Sequence, residues 1–345
     1  YSNIGAVIYA PGAGVTGFEA LGKIINGSIN PSGKTVDTFV KDLFKTPYIN
    51  NIGSHIFTNV EDLNKEIAQK DDSSNGVMSF VNYVEGIYVG YKFYETAHDV
   101  GFIKYNEHVQ YPFGYGLSYT TFEKKIESFV DNGDNLMLEV SVTNTGERAG
   151  KDVVKLYYTP PYTNGGIEKA SVNLIGFEKT KELAPGENIS LSFLLNKEDM
   201  ASYDSAGKKI PGGGYILEAG EYEISLRNDS HTPIDSQKFA VAEDIFYNEE
   251  GRRSDKTSAS NKFETYARGK FTELSRANKF ANYEAATARP TEGDYIMDDA
   301  TKEAVKEQSV AYYNPEKNTN PSDTMPTQGA KNGLKLYDMV SADYD

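Results

Sequence analysis

Leu136-Met-Leu-Glu-Val-Ser-Val142 alternates inward apolar and outward side chains with a period of two, the pattern of a strand with one buried face. Val153-Val-Lys-Leu-Tyr-Tyr158, Ile189-Ser-Leu-Ser-Phe193 and Glu221-Tyr-Glu-Ile-Ser-Leu226 repeat it. Turn residues separate these runs: Asp131-Asn-Gly-Asp134, Thr145-Gly146, Pro185-Gly186 and Ala219-Gly220. The spacing predicts about seven strands between Phe122 and Val241, arranged as an antiparallel sandwich with an immunoglobulin-like plan.

Upstream the pattern changes. Ile4-Gly-Ala-Val-Ile-Tyr-Ala10 is a short apolar run without alternation, which reads as a strand buried on both faces. Phe18, Leu21, Ile24 and Ile25 then recur at helical spacing, and Gly27 ends the helix. Strand, loop and helix in that order belong to an α/β layer, which needs further strands to bury itself. Residues 40–80 are polar and read as a long excursion, and aromatic residues crowd between Tyr83 and Tyr119. From Phe246 onward the chain is polar, with one helix predicted over Asp298–Gln308 on Ala300, Ala304 and Val305, and a linker over Asn314–Asn332.

Composition narrows the function classes. The 345 residues carry 35 Lys+Arg and 50 Asp+Glu, a net charge of −15 that repels phosphate backbones and argues against nucleic-acid partners. No Cys is present, which removes disulfides, thiolate metal sites and Cys nucleophiles, and four His (His55, His98, His108, His231) are read as surface or structural residues in polar loops. Neither a metal nor a cofactor is expected. No run approaches the roughly 20 apolar residues of a membrane span. The opening Tyr1-Ser2-Asn3 has no leader character, and the chain is expected to begin inside a domain, so the compartment is left open. With 25 Tyr, 17 Phe and no Trp, any sugar-stacking platform here would be Tyr or Phe.

Gly12-Ala-Gly-Val-Thr-Gly17 has the G-x-G-x-x-G form, and Asp37 follows at the distance of a ribose-binding acid. Asp37, however, follows the turn Asn30-Pro-Ser-Gly33 and not a second apolar strand, so a tight strand-to-helix turn is the favoured reading over a dinucleotide site. Asp131-Asn-Gly-Asp-Asn135 lacks the length of a calcium loop and reads as a hairpin turn. Glu85 is the one acid in a dense aromatic setting, a weak candidate for substrate contact. The favoured alternative is a hydrogen-bonding acid that pins a loop, on which Glu85→Gln lowers stability more than turnover. The aromatic run 83–119 is read as core, its glycines marking close backbone packing.

Three passages resemble glycoside hydrolase family 3. Asn30-Pro31-Ser32-Gly33, ahead of Val36-Asp-Thr-Phe39, is similar to the Asn-Pro-Ser-Gly…Thr-Phe passage late in that family's α/β-sandwich domain. Glu85-Gly86-Ile-Tyr-Val-Gly90-Tyr91-Lys-Phe-Tyr94 is similar to its Glu-Gly-Ile-x-Val-Gly-Tyr-Arg-Tyr-Tyr segment. Tyr111-Pro112-Phe113-Gly114-Tyr115-Gly116-Leu-Ser-Tyr119 repeats its Pro-Phe-Gly-Tyr-Gly-Leu-Ser-Tyr signature. Lys34-Thr35 stands where the family has Arg-Leu, and Lys92 where it has Arg. Residues 123–241 resemble the fibronectin type III-like domain that follows in its β-glucosidases. Gly333-Leu-Lys-Leu-Tyr-Asp-Met-Val-Ser-Ala-Asp-Tyr-Asp345 is similar to the lead-in to the catalytic barrel in members with inverted domain order.

The fold class this implies is α/β plus all-β. Residues 1–121 would be the C-terminal part of the α/β-sandwich domain, 122–245 the fibronectin type III-like β-sandwich, and 246–345 an irregular linker with short helices leading to a barrel. The resemblance implies a retaining β-glucosidase-like enzyme acting on a β-linked oligosaccharide or aryl glucoside. Its Asp nucleophile would lie on the barrel beyond Asp345 and its acid/base Glu before Tyr1, so these residues alone are expected to be inactive. Their role would be scaffold and docking for the enzyme's other domains. A homo-oligomer and the sugar specificity stay open. A non-catalytic carbohydrate-binding module is the alternative, which exposed aromatic triplets on one sandwich face would favour.

Overall fold

Alternation along Asn135–Asn144 puts Leu136, Leu138, Val140 and Val142 on one side, and all four are fully buried. The computed structural model that shows this describes residues 4–10, 12, 14, 17–52, 55–70, 78–247 and 272–310. Seven strands build the sandwich: β1 Phe122–Asp131, β2 Asn135–Asn144, β3 Val153–Thr159, β4 Asn173–Lys179, β5 Asn188–Asn196, β6 Gly220–Arg227 and β7 Pro233–Val241. They form an antiparallel sheet β1-β2-β5 facing an antiparallel sheet β7-β6-β3-β4. Between them pack Val154 and Leu156 of β3, Tyr222, Ile224 and Leu226 of β6, and Leu183, Met200 and Leu217 from the connections. Each fully buried aliphatic side chain contributes roughly 1.5–3 kcal/mol. The Asp131–Asn135 turn is a hairpin: Gly133 takes a φ of +90° and donates its N–H to Asp131 Oδ1 at 2.9 Å, while Lys197 pairs with Asp131.

Among the described residues six α-helices accompany the strands: α1 Gly17–Ile25, α2 Glu61–Lys70, α3 Tyr91–Asp99, α4 Tyr105–His108, α5 Tyr283–Ala286 and α6 Asp299–Val310. The chain divides into two compact units, Tyr1–His55 with Phe80–Asp294, and Ile56–Ser79 with Tyr295–Asp345.

In the first unit, a second core gathers Tyr88, Phe93, Tyr94, Ala97, Tyr105 and Phe280 around α3. The aromatic run is therefore largely core, although Tyr83 and Tyr119 are exposed. Helix α1 forms where the apolar spacing places it, ended by Gly27 at a φ of +78°, but none of its residues is buried. Residues 4–10 do not form the doubly buried strand that their composition predicts. They are extended, outside any sheet and exposed, Val7 to 68%. An apolar run signals burial only where neighbouring strands cover it, and among the described residues none pairs with this one.

The second unit is small. Val60, Leu63 and Met297 form its core, with Phe57, Met78 and Val305 against it. Asn59 clamps Met297 at both ends of its amide: Nδ2 donates to the Met297 carbonyl at 2.9 Å and Oδ1 accepts its N–H at 2.8 Å. Asp298 caps α6 by accepting Thr301 N–H at 2.8 Å, and the predicted face of that helix turns Ala304 inward. Residues 314–332 and 333–345, read from sequence as linker and barrel lead-in, lie outside the described residues.

Candidate functional site: a polar joint built from the signature segments

The Asn30 and Pro112 passages zip together. Thr35 N–H donates to the Tyr115 carbonyl at 2.7 Å, Gly114 N–H to the Thr35 carbonyl at 2.8 Å, and Thr35 Oγ1 to the Pro112 carbonyl at 2.6 Å. Gly116 has no room for a side chain, because a Cβ there would overlap the Gly33 carbonyl oxygen. Asn30 ties both passages to the sandwich: its Nδ2 donates to the Ala149 carbonyl at 3.0 Å, and its Oδ1 accepts Tyr119 N–H at 2.7 Å and Ser118 Oγ at 2.9 Å. Phe113 stacks on Tyr91 at 4.7 Å, and its carbonyl accepts Ser230 N–H at 2.8 Å.

Helix α3 contributes the other half. Tyr91 and Glu95 are one turn apart, so both face one way. Tyr91 OH accepts Leu174 N–H at 2.9 Å, Thr96 Oγ1 accepts Ser171 N–H at 3.0 Å, and Glu95 accepts Ser230 Oγ at 2.7 Å. Phe93 and Ala97 point the opposite way, into the aromatic core. Gly90 starts the helix at a φ of +59°, a left-handed value that a side chain would resist.

The histidines depart from the loop reading. His98 lies in α3, His108 in α4, and His55 in the two-residue strand His55–Ile56. His231 follows β6, where Asp229 Oδ1 accepts both His231 and Thr232 N–H and turns the chain. That turn lays the imidazole flat on Tyr105, ring centres 3.5 Å apart, with Nδ1 sharing a hydrogen bond with Glu95 Oε2 at 2.8 Å.

Beneath the zipper lie buried charges. Asp152 sits between Lys124 Nζ at 2.6 Å and Lys34 Nζ at 3.0 Å. Burial alone would raise its carboxyl, but the two ammonium groups hold it below its ordinary range. Lys155, buried under Gly114, has no carboxylate of its own. Burial, with Lys124 and Lys34 nearby, pushes it down to about 7. Lys34 and Thr35, where the chain departs from the family pattern, are thus both bonded within the joint.

Glu85 is half-buried, and burial raises its carboxyl. Among the described residues its side chain has no hydrogen-bond partner. The loop is pinned instead by its backbone carbonyl, which accepts Tyr88 N–H at 2.8 Å. Glu85 lines neither of the two spaces described next. A groove of about 470 Å³ in the second unit is lined by Asn59, Glu61, Asp62, Lys302 and Lys306, and a space of about 30 Å³ in the first by Tyr94, Glu107 and His108. Gly12 and Gly14 take left-handed φ values of +51° and +61° in the turn before α1, and Asp37 is exposed in a bend, the geometry of a tight turn. Among the described residues no cluster of three His, Asp or Glu is placed to hold a metal ion. Among the described residues of the sandwich, Phe177 is the large aromatic that is exposed, not a row of three.

The sequence profile of the fibronectin type III-like domain matches residues 152–230, inside the sandwich. A β-glucosidase A of Butyrivibrio fibrisolvens is 34% identical over 303 residues, 83% of this chain and 33% of that protein. A β-glucosidase of Ruminococcus albus is 34% identical over 224 residues, 65% of this chain and 20% of its own length. Among solved structures, a β-glucosidase from Paenibacillus barengoltzii superposes with a TM-score of 0.54 at 32% identity, over 67% of this chain and 22% of that one. β-Glucosidase 3B from Thermotoga neapolitana, solved with α-D-glucose, gives 0.52 at 31% identity over 67% of this chain and 27% of that one. The chain is a homologue of β-glucosidases of the glycoside hydrolase family 3 type and carries a fibronectin type III-like domain. It spans a third or less of the length of these relatives.

Proposed function

We propose that these residues are the support region of a retaining β-glucosidase that removes terminal non-reducing β-D-glucosyl residues. The observation that carries the reading is convergence: residues from the three passages resembling β-glucosidase signatures meet in one half-buried, hydrogen-bonded joint, Thr35 bonding Pro112 and Tyr115 while Tyr91 stacks on Phe113. The nucleophile Asp would reside on a barrel following Asp345, in inverted domain order. The acid/base Glu would precede Tyr1, protonate the leaving oxygen and then activate water. The joint's part is mechanical. Positions held by a dense set of hydrogen bonds keep two domains in one geometry, which catalysis by two acids about 5 Å apart demands.

The test compares residues 1–345 with the complete open reading frame on an aryl β-glucoside, following the anomer released by NMR. Hydrolysis by the complete protein with release of the β-anomer, and none by these residues alone, is expected. Turnover by residues 1–345 alone, or release of the α-anomer, overturns the reading.

A further inference from the structure

Residues 272–287 are polar in sequence, yet they insert into the first unit's aromatic core. Phe280 is fully buried, its ring 4.9 Å from that of Tyr88 and 5.4 Å from that of Phe93, both in edge-to-face contact. Lys279 and Phe280 hold φ values of +54° and +59°, a region that non-glycine residues rarely occupy. Such backbone strain persists where surrounding contacts over-determine it, here by seating the ring.

Polar anchors flank the ring. Glu168, from the loop between β3 and β4, accepts Tyr88 OH, Ser275 Oγ at 2.5 Å and Arg276 N–H at 3.0 Å. The Arg276 guanidinium lies 4.2 Å over the Tyr162 ring and donates to the Lys169 carbonyl at 3.0 Å. Leu274 is buried, and its N–H donates to the Val84 carbonyl at 2.8 Å. Gly86 leaves the space this needs, since a Cβ there would lie 3.2 Å from Glu273 Oε2. One buried aromatic, one stacked arginine and main-chain hydrogen bonds are the make-up of a peptide hot spot.

We propose that this seat is a peptide-recognition site whose ligand is the chain's own segment 273–287, held by Phe280 and Arg276 independently of its covalent connections. On the proposed function, on which this role rests, the segment fastens the support region to the polypeptide that runs on to the barrel.

The test inserts one protease recognition sequence between Arg253 and Ser254 and another between Pro290 and Thr291. The folded protein is cleaved and passed through size exclusion at about 1 µM. The freed 254–290 peptide is expected to co-elute with the remainder. Phe280→Ala and Arg276→Ala should each release it, Phe280→Ala with about a 30-fold or larger loss of affinity. Should Phe280→Ala not fold, Arg276→Ala, checked by circular dichroism, carries the comparison. Loss of the wild-type peptide, or equal retention of the variants, overturns the proposal. No sugar enters this measurement, so its failure leaves the glucosidase reading standing, and an inactive complete enzyme leaves peptide retention unaffected.

Discussion

Glu95 of α3 and Ser230 of the β6–β7 connection, 135 positions apart, meet in a fully buried hydrogen bond of 2.7 Å. The second carboxylate oxygen reaches His231, so one acid organises the whole turn against the helix. Removing it strands a hydroxyl and an imidazole. Glu95→Ala is expected to cost about 2–3 kcal/mol in urea unfolding, and a loss under 0.5 kcal/mol would show that the turn holds without it.

Lys155 should leave a signature in the pH dependence. Its folded value near 7 lies below the ordinary 10.5, so between those limits the unfolded chain binds the extra proton. Its contribution therefore rises with pH across that window and is lost as pH falls towards 7. Unfolding free energies at pH 7 and pH 9.5 should differ less for Lys155→Met than for the parent. An identical difference would rule out a displaced lysine.

Asp152 has the opposite dependence. Its lowered carboxyl contributes stability that is present above pH 4 and lost on further acidification. Asp152→Asn leaves Lys34 and Lys124 without a counter-charge, which is expected to cost about 3–5 kcal/mol at neutral pH. Thermal unfolding across pH 2–7 should show the variant losing less stability on acidification than the parent, the remaining limb coming from other lowered carboxylates such as Asp131 and Asp204.

Two glycines separate space from backbone strain. Gly116→Ala forces a methyl into the Gly33 carbonyl and should cost more than about 2 kcal/mol. Gly133→Ala meets open space and pays only for its positive φ, about 1 kcal/mol. Similar melting temperatures for the two would contradict the tight approach at Gly116.

Glu85→Gln is expected to leave stability unchanged or raise it at neutral pH. A raised carboxyl contributes stability below pH 4.5 that is lost as pH rises through its folded value, and the amide has no charge to desolvate. Chemical denaturation at pH 7 decides it, a clear loss of stability pointing to a partner for the carboxylate.

How legible this was in sequence depended on range. The sandwich followed from a period-two pattern carried within single strands, as by Leu136, Leu138, Val140 and Val142, although Val153–Thr159 buries Val154 to Tyr157 in succession. The signature glycines predicted close packing but not against what: Gly116 meets Gly33, Gly114 meets Lys155 and Gly86 meets Glu273, whereas Gly90 faces open space and serves its positive φ instead. Residues 4–10 misled because composition reports what a segment could bury, not whether cover is present. Segment 272–287 was hidden for the reverse reason. Its one decisive ring, Phe280, sits among polar neighbours, and its seat is built from residues almost two hundred positions earlier. Glu95 and Ser230 carried no local signal at all.

The amide clamp of Asn59 on Met297 spans 238 positions. A ribosome adding about 5–20 residues per second would need on the order of ten to fifty seconds to supply that partner. Throughout that interval the nascent Asn59 stretch is without its mate while the entire sandwich is synthesised. Newborn chains would thus offer chaperones a long opportunity at this segment, and premature termination before the Met297 codon would leave it permanently unmatched.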